Sequence, residues 1–434
     1  MGSITCKFGG TSLADAQCLR EAAAIVNADP NRRYVVPSAP GKRDSGDIKI
    51  TDLLYTWHSL VQQGLDATQP ECIVAERFEE LTQELGLTLD LRERLAEIRA
   101  DAEKHKNPDY MASRGEYLNG LLMAELLGAT LVDPVHYIKF DEEGRLNPVT
   151  YDLLGEALRG EGRFVVPGFY GSLPDGSVKT FSRGGSDITG AITARASGSV
   201  LYENWTDVSG FRMADPRIVP NAHPIQEITY RELRELAYMG ANVLHDEAIF
   251  PVREPGIPIN IRNTKAPSDP GTMILPARTP KAPVCGIAGQ RSFTMFNIEK
   301  TLMNRERGFG RRVLSVFEDH GVNFEHMPSS IDTLSVIVND AELANHGASI
   351  VKGIEKTCEP DSVSMTGGLA LIATVGMGMA GHIGVAARLC NACARAGVNL
   401  RVLDQGASEN NIIIGVEERD LESAVRAIHN EFAE

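Results

Sequence analysis

Short apolar runs alternate with stretches of helical periodicity through the first two thirds of the chain. Ile4-Thr5-Cys6-Lys7-Phe8 alternates with period two and runs into Gly9-Gly10, the pattern of a half-buried strand ending in a turn. Leu19, Ala22, Ala23 and Val26 recur at i, i+3, i+4 and i+7. They predict the buried face of a helix capped by Ser12, with Asp15 at its third position. Residues 34–36, 164–166, 200–202 and 257–261 read as further buried strands with helices between them, one starting at a Thr229/Glu232 capping box. This rhythm predicts a mainly parallel sheet covered on both faces, with ligands beyond the C-terminal ends of its strands.

The pattern changes after Gly271. Pro276, Pro280 and Pro283 punctuate a linker over residues 275–284, and an internal repeat follows. Gly308, Arg312, Gly321-Val322-Asn323 recur at the same spacing as Gly384, Arg388, Gly397-Val398-Asn399. Each copy predicts a helix, a Gly turn, a strand (from Phe324 or Leu400) and a second β-rich run, Val336-Ile337-Val338 matching Ile412-Ile413-Ile414. The expected division is residues 1–283 and 284–434, with repeats over about 300–360 and 368–434. Residues 362–387 lack Asp, Glu, Lys and Arg, yet six glycines interrupt them. They read as a buried strand over 369–375, a turn and a helix start near Gly381 rather than a membrane span.

The 434 residues carry a net charge of -15, and no basic run exceeds pairs such as Arg311-Arg312. That argues against a nucleic-acid partner. The seven cysteines include one close pair, Cys390 and Cys393, with no second pair to complete a zinc site. They read as buried free thiols of a reducing cytosol. No signal peptide is expected, because the first ten residues go straight into a strand.

Positive charge for anionic ligands must then be local. Strand, Gly9-Gly10 and helix form a phosphate-binding geometry, with Lys7 at the strand end. It is not a P-loop, since the lysine precedes the glycines. A second glycine loop, Arg183-Gly184-Gly185-Ser186-Asp187, opens another helix; its Arg183 fork suits a carboxylate or phosphate.

These segments resemble the aspartate kinase family of the amino-acid kinase fold. Lys7-Phe8-Gly9-Gly10-Thr11-Ser12, Lys49-Ile50-Thr51-Asp52-Leu53-Leu54, Ser113-Arg114-Gly115-Glu116 and Arg183–Asp187 are similar to its motifs, in order. So are Thr206-Asp207-Val208-Ser209-Gly210, Ala214-Asp215-Pro216-Arg217 and Gly240–His245. The resemblance implies a three-layer αβα kinase domain with a mainly parallel sheet, followed by two ferredoxin-like (βαββαβ) ACT domains. It implies transfer of the ATP γ-phosphoryl group to the β-carboxylate of L-aspartate, opening lysine, threonine and methionine biosynthesis. Mg²⁺ would be held mainly by the ATP phosphates.

By the same resemblance Lys7, Asp187 and Arg183 are the catalytic residues. Ser38, Thr51, Glu116, Arg183, Gly184 and Ser186 would bind substrate, Arg183 at its α-carboxylate and Glu116 at its α-ammonium. Lys7, Gly9, Gly10, Thr206, Asp207, Arg212, Arg217 and Lys265 would meet the nucleotide. Met303, Gly308, Phe309, Asn323, Phe324, Glu325, Asp332 and Thr333 would line an effector site at an ACT interface. Glu325 and Asp332 suit a diamino acid, which favours lysine over threonine. A cytoplasmic homodimer or dimer of dimers through the ACT domains is implied. Two departures are Arg212, where the family often has an aromatic residue, and Pro37, where a β-branched residue is usual. The alternatives are a kinase for another amino acid and a non-catalytic sensor that kept the fold.

Overall fold

The computed structural model describes residues 2–433 apart from His105, Arg183, Asn242 and His245, and only the backbone of Asp246. The chain forms two compact units. The first gathers residues 1–211, 225–233 and 242–278; the second gathers 212–224, 234–241 and 279–434. The expected single division near residue 283 is therefore corrected by two segments that belong with the second unit. The physical reason is apolar burial: Met213, Ala214 and Ala222 pack into the second unit's core beside Ile287, Val425 and Ile428.

The first unit opens with β1 (Ile4–Phe8), a 3₁₀ turn (Gly10–Leu13), α1 (Ala16–Asn27) and β2 (Arg32–Pro37). Four helices follow: α2 (Ile50–Gln62), α3 (Thr68–Leu85), α4 (Arg92–Ala102) and α5 (Asp109–Leu127). Next come β3 (Thr130–Leu131), α6 (Pro134–Tyr137), α7 (Val149–Ala157), β4 (Phe164–Val165) and the hairpin β5 (Tyr170–Ser172) and β6 (Val178–Thr180). The chain continues with α8 (Gly185–Ala196), β7 (Leu201–Thr206), β8 (Glu227–Thr229), α9 (Tyr230–Tyr238, which belongs to the second unit from Arg234 on), α10 (Phe250–Arg253), β9 (Ile259–Asn263) and β10 (Thr272–Leu275). Among the described residues, eight strands form one sheet in the order β3-β4-β2-β1-β7-β9-β10-β8, parallel except where β10 meets β9. The chain leaves β1 toward β2 on one side and returns as β7 on the other. That reversal opens a crevice at the C-terminal ends of β1, β2 and β7.

One local reading changes. Ser12 does not cap α1; Asp15 does, its carboxylate accepting the Cys18 N–H at 2.8 Å. Ser12 Oγ instead lies 2.9 Å from Thr264 Oγ1, in the segment after β9. The Thr229/Glu232 capping box forms as read: Thr229 N–H donates to Glu232 Oε2 at 2.8 Å and Glu232 N–H to Thr229 Oγ1 at 3.2 Å.

A buried ion cluster crosses the sheet beneath the crevice. Glu203 on β7 accepts from Arg32 Nε at 2.8 Å, Trp205 Nε1 at 3.0 Å and Cys6 Sγ at 3.3 Å, with Arg262 Nη1 at 3.4 Å. Both guanidiniums lie over the Trp205 ring, which stacks on Phe8. Two cations around one carboxylate are what allow a charge here, since an isolated buried carboxylate would be costly.

In the second unit β11 (Gly286–Glu299) is followed by α11 (Phe309–Asp319), β12 (Thr333–Asn339), α12 (Asp340–Leu343), α13 (Gly347–Cys358) and β13 (Ser362–Val375). Then come α14 (Val385–Arg395), β14 (Val402–Asp404), β15 (Asn411–Glu417) and α15 (Leu421–Phe432). The repeat shares one sheet, β12-β11-β13-β15-β14 among the described residues. Its long central strands serve both copies: Phe293–Glu299 of β11 pairs with β12, and Gly286–Gln290 pairs with the half of β13 that adjoins β15. Phe296, Val313, Phe317 and Val336 fill one core, and Ile372, Leu389, Ile414 and Val425 the other.

The strand expected from Phe324 does not form; only the isolated bridges His326–Ile337 and Ser329–Leu334 mark it. Nor are all cysteines buried, since Cys72 is exposed. No helix among the described residues is long and apolar enough to cross a membrane.

Removing the acid of the sheet cluster leaves Arg32 and Arg262 without it. Glu203→Ala is expected to destabilise the first unit by about 3–5 kcal/mol. The check is the urea midpoint followed by tryptophan fluorescence, both tryptophans (Trp57 and Trp205) lying in that unit.

Candidate active site

The crevice is built from the residues that leave the strand ends. Lys7, next to last on β1, is buried and pairs with Asp187 Oδ1 at 2.5 Å. Asp187 sits in the first turn of α8. The same Oδ1 accepts from Asn204 Nδ2 at 2.8 Å, and the Asp187 carbonyl accepts from Tyr202 Oη at 3.0 Å. Two β7 side chains thus hold the acid that holds the lysine. Gly9 lies close to the ammonium, since a Cβ there would be 3.6 Å from Lys7 Nζ. The motif places the Gly9 N–H at a phosphate, but that N–H instead donates to the Trp205 carbonyl at 3.0 Å.

The loops after β1 and β2 touch backbone to backbone. Gly41 N–H donates to Gly10 O at 2.8 Å, and a Cβ on Gly41 would lie 2.6 Å from the Gly10 carbonyl carbon. Buried Arg77 of α3 locks the pair: it donates to Ala14 O at 2.6 Å, Gly41 O at 3.1 Å and Asp47 Oδ2 at 3.1 Å. Burial works against the Asp47 charge, but the Arg43 N–H and guanidinium hold its carboxyl below the usual range.

Helix α5 supplies Glu116. Gly115 explains the approach: a Cβ there would be 2.9 Å from Ala39 Cβ and 3.2 Å from Ile50 Cγ2. The helix therefore meets the loop carrying Ser38 and the start of α2 carrying Thr51. Glu116 is buried, its carboxylate accepts the Ala39 N–H, and Oε2 has no hydrogen-bond partner. Desolvation pushes its carboxyl up to about 8, against the opposing pull of the Ala39 N–H and Arg114. Arg114 itself lies over the rings of Tyr110, Tyr117 and Tyr170.

Gly184 precedes α8 with φ 59°, and Ser186 packs where a Cβ on Gly168 would come within 2.5 Å of its Oγ. Arg183, Asn242 and His245 lie outside the described residues. Thr206 and Asp207 leave β7, Thr206 Oγ1 donating to Asp207 Oδ1 at 3.3 Å, and Lys265 is exposed after β9. Arg212 and Arg217 fall in the second unit. Arg212 Nη1 donates to Ala222 O at 2.9 Å and Arg217 pairs with Asp215 at 2.6 Å, so each is engaged by its own segment.

In the second unit Met303 and Phe309 are core side chains, and Gly308 (φ 76°) precedes α11. Asp332 Oδ1 accepts the Leu302 N–H at 2.8 Å. Asn323 Nδ2 donates to Glu342 at 3.4 Å, Phe324 is exposed, and Thr333 begins β12. Glu325 accepts a hydrogen bond from Tyr238 Oη, at the end of α9.

The motifs missed four supporting residues: Arg77, Asn119, Glu203 and Asn204. Asn119 alone carried a usable signal, because it stands three residues after Glu116 on one helix face. The others become visible only when strands and loops are brought together.

Residues 4–263 match the amino acid kinase family and residues 372–432 an ACT domain. Aspartokinase 3 of Bacillus subtilis (strain 168) is 38% identical over 98% of each chain. The aspartate kinase structure from Clostridium acetobutylicum is 46% identical with a TM-score of 0.92, covering 100% of both chains. E. coli aspartokinase III, also matched over 100% of both chains and 27% identical, gives 0.80 with aspartate and ADP in its R-state and 0.78 with lysine and aspartate in its T-state. With its kinase unit, its ACT repeat and these relatives along its whole length, the chain belongs to the aspartokinase family, the aspartate kinases among the amino acid kinases.

Proposed function

We propose that this aspartate kinase joins the β-carboxylate of L-aspartate to the γ-phosphoryl group of ATP, giving 4-phospho-L-aspartate and ADP. The observation that carries the reading is Glu116, a buried carboxylate with an unpartnered oxygen beside the crevice that holds Lys7 and Asp187. An amino-acid ammonium is the natural occupant of that oxygen. Arg183 takes the α-carboxylate, with Ser38, Thr51, Gly184 and Ser186 around the substrate.

The aspartate side chain ionises near ~3.9, so the nucleophile needs no general base. One carboxylate oxygen forms the new P–O bond, the bond to the β-phosphate oxygen breaks, and ADP leaves with that electron pair. No proton moves in the step. What this chain supplies is position and charge: Lys7 faces the transferring phosphoryl group, and Asp187 keeps it there. Thr206, Asp207 and Lys265 serve the nucleotide. Among the described residues no group of three or more His, Cys, Asp or Glu could hold a metal ion. Mg²⁺ brought by the ATP phosphates would neutralise phosphate charge, and Asp187 is the residue that would order its shell.

Lysine is the proposed effector of the ACT region, supported by the lysine-bound T-state of the E. coli relative. Its ammonium would compete with Tyr238 for Glu325. Burial, then the Glu325 carboxylate, pushes the Tyr238 hydroxyl well up, so it stays a hydrogen-bond donor at neutral pH. Assembly through the ACT sheet as a homodimer or dimer of dimers, in the cytoplasm, completes the proposal.

Aspartate-dependent ADP formation with Mg-ATP tests the reading directly; its absence in folded protein would sink it. The Glu116 carboxyl must ionise to bind the ammonium. The KM for aspartate should therefore fall as pH rises toward about 8 and level off above it, with a limiting slope of about tenfold per pH unit. Glu116→Gln should flatten that profile at a high KM. Tyr238→Phe removes the competitor for Glu325 and should lower the lysine concentration for half-inhibition by about threefold to tenfold.

A further inference from the structure

Asn119 is fully buried on α5, three residues beyond Glu116. That spacing puts the two side chains on one helix face, with Cβ atoms about 5–6 Å apart. Asn119 Nδ2 donates to the Ser38 carbonyl at 2.6 Å, while Glu116 accepts the N–H of the next residue, Ala39. Both side chains are thus clamped to consecutive residues of the loop after β2. Each also keeps one buried oxygen without a hydrogen-bond partner: Asn119 Oδ1 and Glu116 Oε2.

The amide orientation follows from chemistry. Turned over, Asn119 would place its oxygen against the Ser38 carbonyl and lose its bond. Its orphaned atom is therefore an acceptor, as is that of Glu116 once its carboxyl is ionised. Buried acceptors are matched in folded proteins, so two on one face call for a donor with more than one N–H. A hydroxyl has one proton to give. A primary ammonium has three and adds the charge that Glu116 needs.

We propose that Asn119 Oδ1 is a second acceptor for the α-ammonium of the amino-acid substrate, beside Glu116 Oε2, and so a specificity-determining residue. The proposal rests on the aspartate kinase reading above. A carboxylate alone attracts any cation. Two acceptors at a set spacing select a primary ammonium over an alkylated one and over a substrate that lacks it. No bond is made or broken there, so Asn119 contributes to aspartate binding and not to the phosphoryl step.

The test replaces Asn119 by leucine, close in shape and without the amide. Asn119→Leu should raise the KM for aspartate about tenfold to a hundredfold. The KM for ATP and kcat at saturating aspartate should stay within about threefold. Inhibition by succinate, which has both carboxylates and no ammonium, should stay within about twofold. An unchanged KM for aspartate overturns the proposal. So does a parallel loss of aspartate and succinate binding, which would mean that Asn119 only anchors the Ser38 loop. Where leucine prevents folding, Asn119→Ser repeats the comparison. Failure of the underlying reading looks different: wild-type protein would show no aspartate-dependent ADP formation at all.

Discussion

The ion pair between Lys7 and Asp187 is the constraint around which the crevice is arranged. Both groups are largely out of water, 10% and 15% exposed, where desolvation offsets much of their attraction. Such a pair is poor evidence of stability and good evidence of placement. Lys7 belongs to the central strand, Asp187 to the first turn of α8, and Asn204 with Tyr202 reaches across from β7 to hold the acid. The Lys7 ammonium is thereby set by three elements. The Glu203 cluster below it ties β1, β2, β7 and β9 through Cys6, Arg32, Trp205 and Arg262.

Close backbone approach does the rest. Gly10 and Gly41 bring two loops into contact that a single Cβ would separate, and Arg77 fastens both from below. Gly115 does the same between α5 and the Ser38 loop, which puts buried Glu116 and Asn119 beside that loop. The crevice thus gathers a local cation, and beside it two unpartnered acceptor oxygens, in a chain whose net charge is -15.

Periodicity made β1, β2, α1 and the repeat legible, because each buries one face at a regular interval. The motifs single out Lys7, Glu116 and Asp187 because glycine spacing and charge are local properties. The cap of α1 is not legible locally, since Ser12 and Asp15 are equally good caps and tertiary pairing with Thr264 decides between them. The shared strands β11 and β13 could not be read from either copy alone, because a continuous sheet across the repeat is a property of pairing. Nor could the attachment of residues 212–224 to the second unit, which rests on three apolar side chains finding that core.

In the proposed reaction Lys7 and Asp187 act as one device. A double-mutant cycle on kcat/KM, with Lys7→Ala, Asp187→Asn and both together, tests it most directly. If Asp187 works by holding Lys7, each single change should cost about a hundredfold or more and the double no more than Lys7→Ala alone. Losses that simply multiply, or an Asp187→Asn enzyme close to wild type, would contradict it.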